Sequence, residues 1–270
     1  QVSNRLVNNL TNETIFMKTP LASFKFSGTC ACISSILATA ALSAAAPTME
    51  DFYQREEIPL PEGEVMEGAS IAIIDEDRVA LATRRGDVWI CKGAFEKDLS
   101  KVTWSKFASG LHEPLGMSHK NGWFTFTQRP DVSRMRDSDG DGRADQFVTV
   151  AAPWGINGDY HEYAFGTPPD KDGNVWVVLC LTGSFNANSP WRGWCFRITP
   201  DGKSIPTCSG IRSPGGIGFN MEGDVFYCDN QGTWNGSSSL KHLKPGGFVG
   251  NPNGNKFWEQ APNMGPKPAD

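Results

Sequence analysis

Four aspartates in one short segment could hold a metal ion. Segment 137–145 reads Asp-Ser-Asp-Gly-Asp-Gly-Arg-Ala-Asp, with carboxylates at loop positions 1, 3, 5 and 9 and Gly at position 6. This is the spacing of the first part of an EF-hand calcium loop, in which alternate oxygens converge on one hard cation. The bidentate Glu of position 12 is replaced by Val148. We predict a Ca²⁺ loop with a structural use, the alternative being a solvated acidic turn. The predicted ligands are Asp137, Asp139, Asp141 and Asp145.

One histidine stands among carboxylates. His161 follows Asp159 and precedes Glu162 in segment 155–163. Such neighbours can hold an imidazole as a general base. We therefore predict that His161 is a catalytic base, the alternative being a hydrogen-bonded loop histidine. The remaining histidines lack such surroundings and are interpreted as surface or structural residues: His112, His119 and His242.

A third region contains a positively charged side chain and two polar residues at the end of a predicted strand. Arg212 precedes the turn Ser-Pro-Gly-Gly at 213–216 and could present its guanidinium to a carboxylate or phosphate. The alternative is an ion pair with an aspartate of a neighbouring element. Asp229 and Asn230 end a β-rich run, where side chains can reach a central pocket.

Several enzyme classes lose support from what the sequence lacks. It has no G-x-S-x-G, no H-E-x-x-H, no P-loop and no G-x-G-x-x-G that opens a helix. The net charge of −5 makes a general phosphate-binding surface an unfavoured interpretation, so we expect no nucleic-acid partner.

The elements that must position these residues are short strands. Four β-rich runs look alike and begin near 78, 122, 173 and 223, which gives spacings of 44, 51 and 50 residues. A Gly beside an apolar residue precedes the later three runs, at 116–117, 165–166 and 216–217. A repeat of about 40–50 residues with four strands is typical of a β-propeller blade. The sequence thus predicts an all-β propeller with about four blades present. Because a closed ring of six or seven blades needs more chain, we expect a truncated chain.

The first 46 residues are predicted to lie outside the fold. Met17 is followed by Lys18 and Lys25, an apolar run over about 28–42, and a small-residue stretch that ends at Ala46. This order is typical of a secretory signal peptide at 17–46. We expect residues 1–16 to be an upstream extension and 47–270 to be the propeller domain, incomplete at its C-terminus. The protein would then be periplasmic or extracellular, with no membrane contact after cleavage.

Five cysteines would remain after cleavage. They are Cys91, Cys180, Cys195, Cys208 and Cys228. Export permits disulfides, and the odd count leaves at least one thiol over. Buried apolar cysteines in strands are the alternative.

Taken in order, these regions resemble the soluble quinoprotein glucose/sorbosone dehydrogenase family. The resemblance is clearest in 210–219 and 223–232, and it extends to His161 with the strand at 173–179. The chain also resembles exported propeller proteins of Planctomycetes and Verrucomicrobia that carry a D-x-D-G-D-G-R-A-D loop. Two positions depart from the family pattern, with Ser213 in place of Asn and Gly215 in place of Gln.

The resemblance implies a six-bladed propeller that oxidises a sugar or alcohol with pyrroloquinoline quinone (PQQ) and calcium. By it, His161 would take the hydroxyl proton as hydride passes to the quinone. Arg212 would hold a quinone carboxylate, and Asp229 and Asn230 would line the cofactor pocket. A cytochrome or another electron acceptor would be the partner. Two alternatives stay open: a non-catalytic, calcium-stabilised propeller that binds carbohydrate or a partner domain, and a lactonase-type calcium hydrolase.

Overall fold

The computed structural model describes residues 46–232 and 234–269. The predicted extension at 1–16 lies outside these residues, as does the predicted signal peptide at 17–46 except for Ala46. The chain divides into two units, 1–55 and 56–270. The described part of the first unit contains a short 3-10 helix, Met49–Asp51. Among the described residues, no helix has the length and apolar character needed to span a membrane.

The second unit confirms the predicted all-β propeller arrangement with four blades, each a meander of antiparallel strands. Blade 1 contains β1 (Gly68–Ile73), β2 (Arg78–Thr83), β3 (Val88–Lys92) and β4 (Thr103–Ala108). Blade 2 contains β5 (Gly116–Lys120), β6 (Trp123–Thr127), β7 (Val132–Arg136) and β8 (Gln146–Ala151). Blade 3 contains β9 (Ala164–Gly166), β10 (Val175–Leu179), β11 (Trp194–Ile198) and β12 (Ser204–Ser209). Blade 4 contains β13 (Pro214–Phe219), β14 (Val225–Asp229) and β15 (Ser239–His242).

Two further elements extend blade 3. Strand β16 (Gly247–Phe248) follows blade 4 in the chain but pairs in parallel with β12. The 3-10 helix Pro252–Gln260 then packs Phe257 and Trp258 into the blade 3 core. A second short 3-10 helix, Leu99–Lys101, joins β3 to β4. The chain after blade 4 therefore returns to stabilise the blade that precedes it.

The repeated sequence run is the second strand of every blade. The runs near 78, 122, 173 and 223 become β2, β6, β10 and β14. Their β-branched and aromatic residues suit a strand that is covered on both sides, and every residue of Val175–Leu179 is buried. Three apolar clusters fill the spaces between blades 1 and 2, blades 2 and 3, and blades 3 and 4. Burial between blades, rather than within one sheet, therefore stabilises the fold.

Glycines allow the first strands of blades 2 and 3 to approach closely. A Cβ on Gly116 would lie 2.6 Å from the carbonyl oxygen of Gly166, and one on Gly166 would lie 1.9 Å from Thr127 Oγ1. No side chain fits at either distance. The Gly-apolar pairs of the sequence thus mark the innermost strands of the propeller.

The meander gives each blade two distinct ends. The first strand of a blade begins, and its second strand ends, at what we call the upper end. The opposite end is the lower end. His161, Arg212 and Asp229 lie at the upper end, next to the start of β9, the start of β13 and the end of β14. The acidic loop 137–145 joins β7 to β8 at the lower end of blade 2.

Candidate active site at the upper end of blades 3 and 4

A carboxylate fixes the segment that carries His161. Asp159 Oδ1 accepts hydrogen bonds from the His161 amide, 2.8 Å away, and from the Gly183 amide, 3.0 Å away. These bonds favour the charged form and lower the pKa of Asp159. The carboxylate thereby ties the loop before β9 to the loop after β10.

The two ring nitrogens of His161 have different partners. Nδ1 lies 3.1 Å from the carbonyl oxygen of Leu181, which can only accept, so the neutral ring carries its proton on Nδ1. Nε2 then presents a lone pair. Ser213 Oγ lies 2.9 Å from Nε2. Ser184 Oγ lies 2.7 Å from Nε2 and 3.2 Å from Nδ1, so this hydroxyl sits over the face of the ring and not in line with the lone pair. A half-buried imidazole in this state can accept a proton from a bound hydroxyl.

A buried carboxylate organises the segment at the start of blade 4. Asp229 Oδ1 accepts the Ser213 amide at 2.8 Å and the Asn230 amide at 2.9 Å. Its Oδ2 accepts the Arg212 amide at 3.2 Å and the Tyr227 hydroxyl at 2.9 Å. Burial and the neighbouring charge raise the pKa of Tyr227. Asp229 thus holds the backbone that presents Arg212 and Ser213, and its contact with a cofactor stays a prediction.

The side chain of Arg212 keeps an unused donor. Its Nε is buried and has no hydrogen-bond partner among the described residues, and its guanidinium carbon lies 5.3 Å from the centre of the Phe185 ring. Phe185 is 65 % exposed, so the cation sits beside an accessible aromatic surface. Asn230 is exposed, and its side-chain oxygen accepts the Gln231 amide at 2.9 Å. A carboxylate ligand would suit the buried, unpartnered Nε of Arg212.

Two fully buried charges lie beneath the histidine loop. Glu162 accepts the Asn157 amide at 2.7 Å and the Thr182 hydroxyl at 2.5 Å. Arg192 donates to the carbonyl oxygens of Gly155 at 2.9 Å and Tyr163 at 3.0 Å. Burial lowers the pKa of Arg192 to about 10, opposed by the charge of Glu162. The sequence singled out Glu162 only as a flank of His161, and Arg192 had no local signal because its burial depends on carbonyl oxygens that are distant in the chain.

A second buried arginine, Arg129, connects the His161 loop to blades 1 and 2. One terminal nitrogen of Arg129 lies 2.9 Å from Glu113 Oε2, and the other donates to the carbonyl oxygen of Asp159. Glu113 also contacts Arg84 of blade 1 at 3.2 Å. The guanidinium of Arg129 lies 5.4 Å from the Tyr163 ring centre. The chain of contacts connects the His161 loop to both preceding blades.

The acidic loop brings three of its four predicted ligands together. One oxygen each of Asp137, Asp139 and Asp141 lies within 4.8 Å of the others. Asp137 accepts the amides of two glycines, Gly140 and Gly142, which lower its pKa. Asp145 instead binds the Ser138 amide at 2.8 Å, outside that group. The loop lies at the lower end, so a cation bound there would stabilise blade 2 without touching the imidazole.

His119, His242 and the buried cysteines take structural places, whereas His112 is exposed. His119 packs on Phe124 with ring centres 4.6 Å apart, and burial lowers its pKa. His242 stacks on Phe226 at 4.7 Å. All five described cysteines are free thiols; Cys91, Cys180, Cys195 and Cys208 are buried and Cys228 is exposed. Burial raises the pKa of Cys180 and of Cys208 to about 12.

Solved structures of sugar dehydrogenases share this fold. The PQQ-bound aldose sugar dehydrogenase of Streptomyces coelicolor aligns with a TM-score of 0.53 at 15 % identity, covering 67 % of this chain and 61 % of its own. A Thermus thermophilus protein described as a putative oxidoreductase (glucose dehydrogenase) aligns at 0.52 and 17 %, covering 70 % and 65 %. The calcium structure of a family AA12 carbohydrate-active enzyme from Trichoderma reesei aligns at 0.52 and 12 %, covering 67 % and 53 %. This chain therefore spans less than two thirds of each.

At these identities the likeness establishes the propeller fold alone. No curated protein matches the sequence. A family profile does match: residues 95–253, from the end of blade 1 through blade 4 to the strand that returns to blade 3, fit the family described as Domain of unknown function (DUF7133). Since that match spans more than half of the 270 residues, the chain belongs to this family.

Proposed function

We propose that the chain is part of a dehydrogenase that passes hydride from a sugar or alcohol to pyrroloquinoline quinone. The observation that carries the proposal is the state of His161, whose Nδ1 proton is accepted by the Leu181 carbonyl and whose Nε2 lies 2.9 Å from the Ser213 hydroxyl. The same fold in PQQ-bound and calcium-bound sugar enzymes supports it. When bound, the quinone would supply the hydride acceptor.

The residues at the upper end fit part of the quinone. Arg212 has a buried Nε without a partner among the described residues, which suits a quinone carboxylate, and the exposed ring of Phe185 beside it offers an apolar surface. In the reaction, Nε2 of His161 would accept the proton of the substrate hydroxyl. Ser213, whose hydroxyl lies 2.9 Å from Nε2, would turn toward a neighbouring substrate oxygen. Asp229 and Asn230 would shape the pocket through the backbone of its rim.

We propose Ca²⁺ as a ligand of the acidic loop, with Asp137, Asp139 and Asp141 as side-chain donors. Oxygen donors alone suit a hard cation, and Asp145 would support the loop through Ser138. Because the loop lies at the lower end, its calcium would act on stability. The protein is proposed to be exported, with a cytochrome or another carrier re-oxidising the quinone.

The test is dye reduction by the protein loaded with quinone and supplied with sugars and simple alcohols. His161→Gln should lower kcat at least about 100-fold, which is the size of a lost general base. The control is His112→Gln, because His112 is exposed and its ring has no hydroxyl partner among the described residues. Sugar or carbohydrate binding that survives His161→Gln, with no dye reduction in either protein, would favour the non-catalytic alternative.

A further inference from the structure

Two cysteines lie directly opposite each other in blade 3. Cys195 of β11 and Cys208 of β12 are register partners in an antiparallel pair, and the structure describes both as free thiols. Opposed residues of such a pair have Cα atoms about 4.5–5.5 Å apart, and a disulfide needs about 4.4–6.8 Å. We propose that Cys195 and Cys208 form a disulfide when the protein is made in an oxidising compartment. The proposed export would place the chain in such a compartment.

Both side chains lie on the same face of the blade. Cys195 and Cys208 are fully buried, and both belong to the apolar cluster between blades 3 and 4. Each Sγ contacts the carbonyl oxygen of the residue that follows it, at 3.8 Å for Phe196 and 3.7 Å for Ser209. A thiol is a weak donor, so the loss of these contacts costs little. The two cysteines therefore share the face and the register that a cross-strand bond requires.

The other described cysteines have no such partner. In their strands, Cys91 and Cys228 lie opposite residues other than cysteine. Cys180 follows the end of β10, and its Sγ lies 4.0 Å from the Pro214 carbonyl oxygen of blade 4. Among the described residues, the strand register therefore selects one pair and leaves the remaining cysteines as thiols.

The pair lies at the upper end of the β11–β12 hairpin, opposite its turn at 199–203. A bond there would close a loop of about 15 residues, which in the chain-entropy model restricts the unfolded chain. Strand β12 continues directly into the segment that carries Arg212 and Ser213. Tyr227 belongs to the same buried cluster and donates to Asp229, whose carboxylate holds that segment. The bond would therefore stabilise the part of blade 3 from which the upper end is built.

The oxidation needs a disulfide as electron acceptor, either a small molecule or a protein dithiol oxidase. The thiolate of one cysteine attacks a sulfur of the oxidant, so that a mixed disulfide forms and one oxidant thiol leaves. The second cysteine attacks the mixed disulfide, so that the bond between Cys195 and Cys208 forms and the second oxidant thiol leaves. The pair loses two protons and two electrons, and the oxidant disulfide takes them up as two thiols.

Burial decides when the bond can form. It raises the pKa of Cys208 to about 12 and holds the pKa of Cys195 well above its usual range. The folded protein therefore has very little reactive thiolate at neutral pH. The oxidant must reach the pair while the chain folds, before blades 3 and 4 pack together. Once the blades are packed, the same burial protects the bond from reductants.

The test is production of the full chain in two compartments, an oxidising bacterial periplasm and a reducing cytoplasm. Free thiols are blocked with N-ethylmaleimide in urea, and peptide mapping then locates linked cysteines. We expect the periplasmic protein to have Cys195 joined to Cys208, with Cys91 and Cys180 blocked. The cytoplasmic protein should have both members of the pair blocked. The Tm of the periplasmic protein should be higher by at least about 5 °C.

Matched variants separate the bond from side-chain packing. In Cys195→Ala with Cys208→Ala, the two preparations should have equal Tm values. Cys91→Ala, at another fully buried cysteine of a strand, should keep the difference. Since each comparison is between two preparations of one sequence, a loss of packing in a variant cannot imitate the result.

Two results would overturn the proposal. One is a periplasmic protein in which both Cys195 and Cys208 are blocked by N-ethylmaleimide. The other is a bond that joins either of them to a different cysteine. The measurements involve no quinone, so their outcome is independent of the proposed dehydrogenase.

Discussion

Ser213 Oγ and His161 Nε2 lie 2.9 Å apart although they belong to neighbouring blades and are 52 residues apart in the chain. The Leu181 carbonyl occupies the other ring nitrogen at 3.1 Å. The imidazole is therefore held between blades, with its proton on one side and its lone pair on the other. The proposed dehydrogenase depends on this single tautomer.

The tautomer is directly measurable. In the neutral ring of His161, we expect the proton on Nδ1, because the Leu181 carbonyl can only accept. Two-bond and three-bond ¹H–¹⁵N correlations of the ring, recorded well above the ordinary imidazole pKa of about 6.5, distinguish the two tautomers. A ring with its proton on Nε2 would contradict the described hydrogen bonds. His242, which stacks on Phe226, serves as the internal comparison.

Acid should loosen the His161 loop through Asp159. Because the folded protein lowers the pKa of Asp159, its charge contributes stability above the unfolded carboxyl pKa of about 3.9, and this contribution is lost as pH falls through the lowered folded value. Urea unfolding from about pH 6 to about pH 3 should therefore show a shallower loss of stability in Asp159→Asn than in the parent protein. Equal slopes in both proteins would refute the role of Asp159. Asp172→Asn, in the lower turn of blade 3, should keep the parental slope.

Gly166 should tolerate no side chain. A Cβ there would lie 1.9 Å from Thr127 Oγ1 and 2.5 Å from Thr127 Cβ, so Gly166→Ala forces β9 away from blade 2. We expect a loss of about 1–3 kcal/mol in unfolding free energy, the usual cost of overpacking. Gly218→Ala in β13, where a Cβ would meet nothing within 4 Å, is the matched control and should be close to neutral. Similar Tm values for the two variants would argue against the close packing of the inner strands.

Calcium should raise the Tm of the protein through the acidic loop. Removing two of the three converging carboxylates, in Asp139→Asn with Asp141→Asn, should abolish the shift. Asp201→Asn, in the lower turn of blade 3, should leave it intact. A calcium shift that persists in the double variant would place the cation elsewhere.

The five described cysteines should differ sharply in thiol reactivity. Cys228 is exposed, whereas the others are buried and burial raises their pKa, which suppresses the thiolate. In the folded protein, Cys228 should be alkylated rapidly and Cys195 only after unfolding. Peptide mapping after a short iodoacetamide pulse checks this, and rapid labelling of Cys195 would contradict its burial.

The repeat was readable from the sequence because it rests on strands rather than on single residues. The four β-rich runs became the second strand of each blade, and the Gly-apolar pairs lie in the first strands β5, β9 and β13. Gly116 and Gly166 allow a close approach there, whereas a Cβ on Gly216 would meet nothing within 4 Å. The return of the chain to blade 3 was not predicted. Strand β16 contains only Gly247 and Phe248, and its pairing with β12 is a long-range contact with no local pattern.

The site was readable only in part. His161 and Arg212 could be singled out by residue type, and the structure brings their segments together at the upper end. The sequence could not indicate Ser184 or the Leu181 carbonyl. A hydroxyl or a backbone oxygen carries no local signal, and both reach the His161 ring only in the folded chain. The buried position of Arg192 was likewise unreadable, since it depends on carbonyls of a distant loop.

Isothermal titration of the protein with pyrroloquinoline quinone in calcium buffer tests directly whether the upper end binds the quinone. We expect one-to-one binding that weakens at least about tenfold in Arg212→Ala, a loss of about 1.4 kcal/mol. Binding should be unchanged in Lys203→Ala, because Lys203 lies in the lower turn of blade 3. No binding, in a protein whose Tm calcium still raises, would contradict it.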